Sequence, residues 1–319
     1  MKRENICILG GTGFVGGHLI HRLCETYASI RVVTRHREQH RNLLVHHQVS
    51  LVEGDIHDEK QLDNLLDGYD VVINLVGILN PAGKNSGFRK IHVDLAKKVV
   101  TACNNVGVRH LLHMSALNAG SANAISQYLR TKGEGENNTH LQAGPRLQVT
   151  SFRPSIIFGE GDHLFNRFAS MLRLPMVAVP LACPEARFAP IYAQDVAEVF
   201  AQSILNPETY SKRFNLCGPR EYTLMELMEF TEQCIGVRRL IVGLSNSLSR
   251  LQARILGKLP GKLLTLDNYR TMRSDSVCQE PCPSLFQLEL ATLESIVPHY
   301  LGRRSQQVRY MDYRKGAKR

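Results

Sequence analysis

The sequence predicts an α/β fold: a doubly wound parallel sheet with a smaller C-terminal lobe on the substrate side. Three observations lead to this prediction. Short β-branched runs alternate with stretches of helical spacing, a glycine-rich turn follows the first run, and the rhythm changes after Phe152. Strands that alternate with helices need crossover connections, which give a parallel sheet covered on both faces. In such a fold, ligands bind at the carboxyl ends of the strands.

Six strands are predicted in the first half of the chain, each from a short run rich in β-branched or aliphatic residues. They cover residues 5–9, 30–34, 50–53, 70–76, 110–114 and 148–152. A helix between the fourth and fifth strands is predicted because Ile91, Leu95, Val99 and Ala102 recur at helical spacing. We therefore assign residues 1–155 to a first domain.

The second half of the chain is less regular. Four prolines between residues 175 and 190 divide it into loops and short segments. Helices are predicted over 195–205 and 224–234, and one strand, 213–216, is expected to return to the main sheet. We assign residues 156–301 to a smaller C-terminal lobe and residues 302–319 to a flexible basic tail.

The net charge of +10 belongs to the C-terminal third of the chain. Residues 236–262 hold six basic residues and no acidic one, and the tail holds seven against Asp312 alone. Leu248, Leu251 and Ile255 recur there at helical spacing, while Arg250 and Arg254 lie on another face. Such a helix can lie on an anionic membrane surface, bind an acidic partner protein, or pack on the first domain. No nucleic-acid recognition motif is present, which argues against nucleic acid.

Eight cysteines are scattered along the chain, and the N-terminus shows no apolar run typical of a signal peptide. We therefore expect reduced thiols and a cytoplasmic location, peripheral on the inner face of the cytoplasmic membrane if the basic lobe binds lipid. Cys278 and Cys282 lie close together, but no second Cys/His pair at metal-ligand spacing accompanies them, so no metal site is expected.

A glycine-rich loop follows the first predicted strand and opens a helix; it reads Gly10-Gly11-Thr12-Gly13-Phe14-Val15-Gly16. Its three spaced glycines let the chain turn sharply, approach a diphosphate and pack the helix on the sheet. Amides and the dipole at the helix N-terminus then bind the anion. The sequence thus predicts a Rossmann-type dinucleotide site in residues 1–155, against the alternative of a merely well-packed turn.

Further contacts to the dinucleotide are predicted at the ends of the next strands. Arg35 follows the second strand, where an NAD-specific site usually has a carboxylate, so NADP(H) is favoured, with NAD(H) as the alternative. After the third strand, Asp55 is placed to accept from the adenine amino group. The other predicted contacts are Ile56 beside it and, at the nicotinamide half, Asn74, Val76 and Gly77.

Tyr128 and Lys132 are spaced i, i+4 and therefore lie on one face of a helix. An ammonium group beside a phenol favours the phenolate, which makes Tyr128 a candidate acid/base. Ser115, just past the fifth strand, is placed to donate to the same substrate oxygen. The alternative is an exposed helix face with a solvated lysine.

These residues, in this order, resemble the short-chain dehydrogenase/reductase superfamily in its extended and atypical branch. Segments 153–159, 190–197 and 214–219 look like its later landmarks. Within that branch, the chain is most similar to the group of the NADPH-binding accessory subunit of respiratory complex I and its bacterial relatives. The resemblance implies that Lys132 binds the nicotinamide ribose and lowers the pKa of Tyr128.

One position departs from the family pattern, because His92 stands where extended members usually carry an active-site asparagine. Two functions therefore remain open. The first is an NADP(H)-dependent oxidoreductase or epimerase in which Tyr128 exchanges a proton with a substrate that the sequence does not identify. The second is a cofactor-stabilised structural or assembly protein of the respiratory membrane, related to complex I or to quinone biosynthesis, with little or no turnover.

Overall fold

The computed structural model describes residues 1–81, 87–120, 125–259, 264–280 and 282–302. The strands within these ranges are β1 (Lys2–Leu9), β2 (Tyr27–Thr34), β3 (Val49–Glu53), β4 (Val71–Asn74), β5 (His110–Met114), β6 (Gln148–Pro154), β7 (Ile157–Phe158), β8 (Ala178–Leu181), β9 (Arg187–Phe188), β10 (Ile191–Tyr192), β11 (Arg213–Leu216), β12 (Tyr222–Thr223) and β13 (Leu240–Gly243). The α-helices are α1 (Phe14–Cys24), α2 (Glu59–Leu66), α3 (Leu95–Val106), α4 (Gln127–Leu141), α5 (Leu164–Leu172), α6 (Ala193–Ser203), α7 (Leu224–Ile235), α8 (Asn246–Leu256), α9 (Leu266–Met272) and α10 (Leu293–Gly302). A π-helical turn, Lys90–Asp94, runs directly into α3.

The main sheet has seven strands in the order β11-β6-β5-β4-β1-β2-β3, and every pairing in it is parallel. This confirms the predicted doubly wound α/β fold. The direction of winding reverses between β1 and β4, so the binding crevice lies at the carboxyl ends of these two strands. The expected returning strand is β11, which pairs with β6.

Alternate residues of β1 face two different cores, as the pleat of a strand requires. Ile6 and Ile8 pack with residues of α1 and α6, whereas Cys7 and Leu9 pack with residues of α2 and α3. Helices therefore cover both faces of the sheet. A third core joins α5, α7 and α10 to the small β8–β13 sheet and forms the C-terminal lobe.

Two predicted elements end earlier than expected, for local reasons. The fourth strand ends at Asn74 because its side-chain Oδ1 accepts a hydrogen bond from the Val76 N–H (3.1 Å) and turns the chain. Helix α6 ends at Ser203, shortly before Leu205 adopts a φ of +51°. A side-chain turn and a left-handed residue both compete with regular backbone hydrogen bonding.

A buried carboxylate fastens α4 to the edge of the sheet. Glu136 is fully buried and receives hydrogen bonds from Arg153 of β6 (2.7 to 3.0 Å). Arg213 of β11 also approaches it to 2.7 Å. Two guanidinium groups thus compensate one buried negative charge, which would otherwise be costly to bury.

The expectation of reduced thiols throughout was wrong for one pair. Cys217, just after β11, forms a disulfide with Cys278; their Cα atoms are 6.0 Å apart, and their sequence separation is 61. The other six cysteines carry free thiols. Cys278 and Cys282 lie close together in sequence and were expected to be two unconnected free thiols. Instead, the C-terminal segment places Cys278 beside the end of β11, next to Cys217.

Across the described ranges, no helix is both long and apolar enough to cross a bilayer. The predicted basic tail lies outside the described residues from position 303 onward, as does Lys262 of the basic segment.

Candidate active site

The glycine loop brings the ends of β1 and β4 together. Gly10 has a φ of +78°, a left-handed conformation that residues with a Cβ rarely adopt. A Cβ on Gly10 would also lie 3.1 Å from the backbone nitrogen of Val76. Glycine is therefore needed at this position both for the turn and for the close approach of the two loops.

Helix α1 starts against the end of β1. Gly13 is its N-cap, and among the described residues no side chain caps its first turn. A Cβ on Gly16 would lie 2.2 Å from the Gly11 carbonyl oxygen, so the helix packs on the loop at backbone distance. The first amides of a helix have no intrahelical acceptor, and those of Phe14 and Val15 can therefore donate to an anion. This cradle fits the diphosphate of a dinucleotide.

The side chains around the cradle fix its position. Thr12 is half-buried in the loop. The Phe14 ring lies beside Gly159 of the segment after β7, and Val15 packs on the core shared by α1 and α6. The predicted phosphate loop thus joins the first domain to the chain that follows β6.

The far end of the crevice lies where β2 and β3 end. The Gly54 N–H donates to the Thr34 carbonyl (3.1 Å) and holds the two strand ends together. Arg35 and Asp55 directly follow this pair, and both are exposed. Asp55 Oδ1 accepts from the His57 N–H (2.9 Å), and Ile56 packs on the core beneath. One cationic and one anionic side chain therefore lie at this end of the crevice.

The loop after β4 is built around two of its predicted site residues. Asn74 is buried, with its Nδ2 3.4 Å from His113 Nδ1 and its Oδ1 bound to the Val76 amide. Gly77 leaves space for the lysine of α4, since a Cβ there would lie 3.1 Å from Lys132 Nζ. Asn74 therefore shapes the loop, and Gly77 admits Lys132 to it.

Lys132 and Ser115 lie at the end of β5. The Lys132 ammonium is buried and donates to the Met114 carbonyl (2.8 Å). Ser115 is the next residue, also buried, and its Oγ has no hydrogen-bond partner among the described residues. A buried hydroxyl without a partner costs about 1–3 kcal/mol. Its position at the end of β5 therefore suits a hydrogen bond to a bound ligand.

Tyr128 lies half-buried one helical turn before Lys132. Burial raises the pKa of its phenol to about 12, and burial lowers the pKa of Lys132 to about 8 against the opposing effect of Glu136. This differs from the lowered tyrosine pKa implied by the family resemblance, because desolvation of the phenol dominates here. At neutral pH the tyrosine is a proton donor and the lysine is largely cationic.

His92 links the loop after β4 to α4. Its Nε2 accepts from the Ile78 N–H (3.2 Å), so its Nδ1 carries the proton and donates to Thr131 Oγ1 (3.0 Å). Burial, with a contribution from the charge of Lys132, lowers the His92 pKa to about 3. Its ring meets that of Tyr128 edge to face, with centroids 5.5 Å apart. His92 is therefore a neutral bridge beside the tyrosine.

Sequence reasoning missed Asp267, which caps the helix that carries Tyr128. Its carboxylate accepts from the amides of Gln127 (2.7 Å) and Tyr128 (3.0 Å), while Ser126 caps Leu129 (3.2 Å). A carboxylate at a helix N-terminus satisfies unpaired donors and interacts favourably with the dipole. Nothing near Tyr128 in the sequence points to a cap that comes from α9.

Two cavities lie along the C-terminal lobe. One, of about 470 Å³, is lined in part by Glu185, Asn246 and Asp275. The other, of about 310 Å³, includes Ile125, which lies just before the start of α4. Arg273 lines both cavities. The smaller cavity therefore adjoins the helix that carries Tyr128.

Comparison with known proteins agrees with this geometry. The sequence model of the NAD dependent epimerase/dehydratase family matches residues 6–217. The chain is 26% identical over 300 residues to the NADH-ubiquinone oxidoreductase 40 kDa subunit of Neurospora crassa, which covers 92% of this chain and 78% of that protein. It is 28% identical over 246 residues to a ceramide reductase of Caulobacter vibrioides, covering 76% and 74% respectively.

Solved structures share the fold at low sequence identity. An NADPH-dependent quinone oxidoreductase of Escherichia coli, solved in complex with NADPH, superposes with a TM-score of 0.71 at 18% identity. The superposition covers 91% of this chain and 97% of that one.

Proposed function

Since the chain belongs to the NAD dependent epimerase/dehydratase family, as the match over residues 6–217 shows, we propose that it is an NADP(H)-dependent oxidoreductase or epimerase with Tyr128 as its acid/base. One observation carries this proposal. The buried Lys132 ammonium and the buried Ser115 hydroxyl, which has no partner among the described residues, both lie at the end of β5, beside the crevice that starts at Gly10. Buried polar groups in such a cleft are typical of sites that bind a polar ligand.

Each residue has a distinct role in this proposal. A bound nicotinamide dinucleotide supplies or accepts the hydride. The amides at the start of α1 bind its diphosphate, and Lys132 binds its nicotinamide ribose. Ser115 donates a hydrogen bond to the substrate oxygen, and Tyr128, protonated at neutral pH, gives that oxygen its proton. The His92 ring packs against the tyrosine ring, and Asp267 accepts from the tyrosine amide, so both hold Tyr128 in place.

The decisive test is Tyr128→Phe, which removes the proton donor and keeps the ring. NADPH retention should be unchanged, while NADPH oxidation with quinone or carbonyl substrates should fall by at least about 100-fold, the usual contribution of general acid catalysis. Tyr210→Phe is the matched control, since Tyr210 is equally half-buried but packs against His110 away from the site. Equal turnover in the two variants would contradict the assignment of Tyr128.

The preference for NADP(H) is also a proposal, and it rests on Arg35 at the end of β2. Within the described part of the chain Arg35 forms no ion pair with a carboxylate, and a guanidinium suits a 2′-phosphate. Arg35→Ala should raise the Kd for NADPH about tenfold, equivalent to one charge-assisted hydrogen bond, and leave the Kd for NADH unchanged. Titration calorimetry measures both Kd values, with Arg146→Ala as the control. An equal loss of affinity for NADPH and NADH in Arg35→Ala would refute the preference.

A second candidate is a cofactor-stabilised subunit or assembly protein of the respiratory membrane. It is favoured by His92, whose neutral ring is fully used in holding two segments together, and by the Neurospora relative, which is named as an oxidoreductase subunit. In this role the basic segment 236–262, of which 236–259 are described, would face a respiratory-complex partner or an anionic membrane surface. NADPH retention without turnover in both wild type and Tyr128→Phe would favour this candidate.

Sedimentation with anionic vesicles tests the membrane contact. Attraction between a basic surface and anionic lipid weakens as the Debye length falls from about 10 Å at 0.1 M salt to about 3 Å at 1 M. Binding should therefore be lost at high salt. Binding to neutral vesicles at the same level would contradict a surface-charge contact.

A further inference from the structure

Helix α8 turns its small residues inward and its large apolar residues outward. Ser249 and Ala253 are buried, with relative exposures of 0% and 1%. Leu248, Leu251 and Ile255 are 51%, 51% and 56% exposed. A helix packed as an ordinary globular element would bury the second group. The outward row, here called the apolar stripe of α8 (Leu248, Leu251, Ile255), is therefore left uncovered by the part of the chain that the structure describes.

Four arginines converge beside this stripe. Arg250 and Arg254 lie one turn apart on α8, and Arg270 of α9 lies one turn before Arg273, the C-cap of that helix. All four line the cavity of about 310 Å³, together with Ile125, Leu266 and Tyr269. We call this cavity the arginine pocket. Two packed helices thus direct four positive charges into one concave site.

Among the described residues, none that lines the arginine pocket compensates these charges. Within the described ranges its lining contains no carboxylate, and none of the four arginines forms an ion pair there. Asp267, the acidic residue of α9, is engaged by the amides at the start of α4. Like charges held close together repel, so the pocket is stabilised when an anion enters it. The guanidinium fork suits phosphate in particular, because it binds two oxygens at once.

We propose that the arginine pocket binds the phosphate of an anionic phospholipid headgroup while the apolar stripe of α8 enters the acyl boundary of the same bilayer. The adjacency of the two features on one helix argues for a lipid, which combines an anionic head with apolar chains. The small β8–β13 sheet lies next to α8, because Gln252 of α8 donates to the Pro180 carbonyl of β8 (3.0 Å). Leu240 and Val242 of β13 are also exposed and extend the apolar surface.

This inference deepens the membrane contact proposed above by naming its ligand, and it is independent of Tyr128. The pocket adjoins Ile125 at the start of α4, so a bound headgroup lies next to the helix of the active site.

The test is flotation of the full chain with phosphatidylcholine vesicles that do or do not contain phosphatidylglycerol. The double variant Arg250→Ala/Arg254→Ala should bind the anionic vesicles about 30-fold more weakly, since each basic residue near such a surface contributes a factor of about 5. Arg3→Ala/Arg146→Ala removes the same charge from exposed positions elsewhere and should bind like wild type. NADPH binding by every variant verifies the fold.

A lysine variant separates a built phosphate site from diffuse charge. Arg250→Lys/Arg254→Lys keeps both charges but loses the bidentate fork, so its binding should fall between wild type and the alanine variant. Full binding by the lysine variant would overturn the pocket. Leu251→Ser/Ile255→Ser should weaken binding at least about tenfold, because each exposed side chain loses its burial in lipid, whereas Val45→Ser/Leu141→Ser, exposed elsewhere, should not.

Three further outcomes would each refute part of the proposal. If wild type binds no anionic vesicle, the proposed membrane contact itself is wrong. If wild type binds but the alanine double variant binds equally well, the membrane contact stands and the arginine pocket is refuted. Binding of inorganic phosphate, lost in the alanine variant, without any vesicle binding would assign the pocket to a soluble phosphate and overturn the lipid.

Discussion

His92→Asn places the usual family residue at the one position where this chain departs from the pattern. His92 is buried and its pKa is lowered to about 3, from an ordinary value of 6.5. Its two ring nitrogens join Ile78 to Thr131 in the neutral form. Because the native state excludes the proton that the unfolded chain accepts, acid should destabilise the wild type through this residue.

The sign and size of the effect follow from linkage. For a lowered native pKa, the stabilisation is fully present above the unfolded pKa of 6.5 and is lost as the pH falls toward 3. At pH 5 the unfolded histidine is 1.5 pH units below its pKa, which is worth about 2 kcal/mol at 1.36 kcal/mol per unit. His92 should therefore contribute about 2 kcal/mol less to the free energy of unfolding at pH 5 than at pH 7.5.

Urea unfolding of wild type and His92→Asn at the two pH values measures this difference directly. Burial also lowers the pKa of His110, His113 and His140, but both proteins contain these residues, so their contributions cancel. The loss of stability on acidification should be about 2 kcal/mol smaller in His92→Asn. His47→Asn, at an exposed position, should lose as much stability on acidification as wild type. An equal loss in His92→Asn and wild type would refute the buried neutral bridge.

Two further predictions concern the backbone and the disulfide. Gly10→Ala should lower the free energy of unfolding by about 1–2 kcal/mol, the cost of a left-handed non-glycine residue, and should also weaken NADPH binding in calorimetry. Gly68 has the same φ of +78° with open space around it, so Gly68→Ala should lose a similar stability but keep its affinity for NADPH. Equal NADPH affinities in the two alanine variants would contradict the diphosphate cradle. Cys278→Ser should lower the free energy of unfolding by about 2–4 kcal/mol in denaturant without reductant, because the bridge closes a separation of 61 residues. With reductant present, wild type and variant should unfold alike. Cys282→Ser should leave the unfolding curves with and without reductant unchanged. A similar loss of stability in the two serine variants would argue against the bridge.

Much of the nucleotide-binding half could be predicted from the sequence because its determinants are local. Gly10, Gly13 and Gly16 act on the turn and helix in which they lie, and the order of strand, loop and helix fixes the winding of the sheet. The i, i+4 spacing likewise placed Tyr128 and Lys132 on one helix face. The environment of these two residues was not predictable, because the desolvation that raises one pKa and lowers the other depends on the packing of β5 and the loop after β4.

Contacts between distant segments were decided by the tertiary structure. The partner of Cys278 lies 61 positions away, and the cap of the tyrosine helix comes from Asp267 on α9. Helix α8 shows the physical reason most clearly. Its periodicity establishes that Leu248, Leu251 and Ile255 share a face, but the side of a helix that turns inward depends on what it packs against. Here the chain buries Ser249 and Ala253 instead, which leaves the apolar stripe and the arginines beside it at the surface.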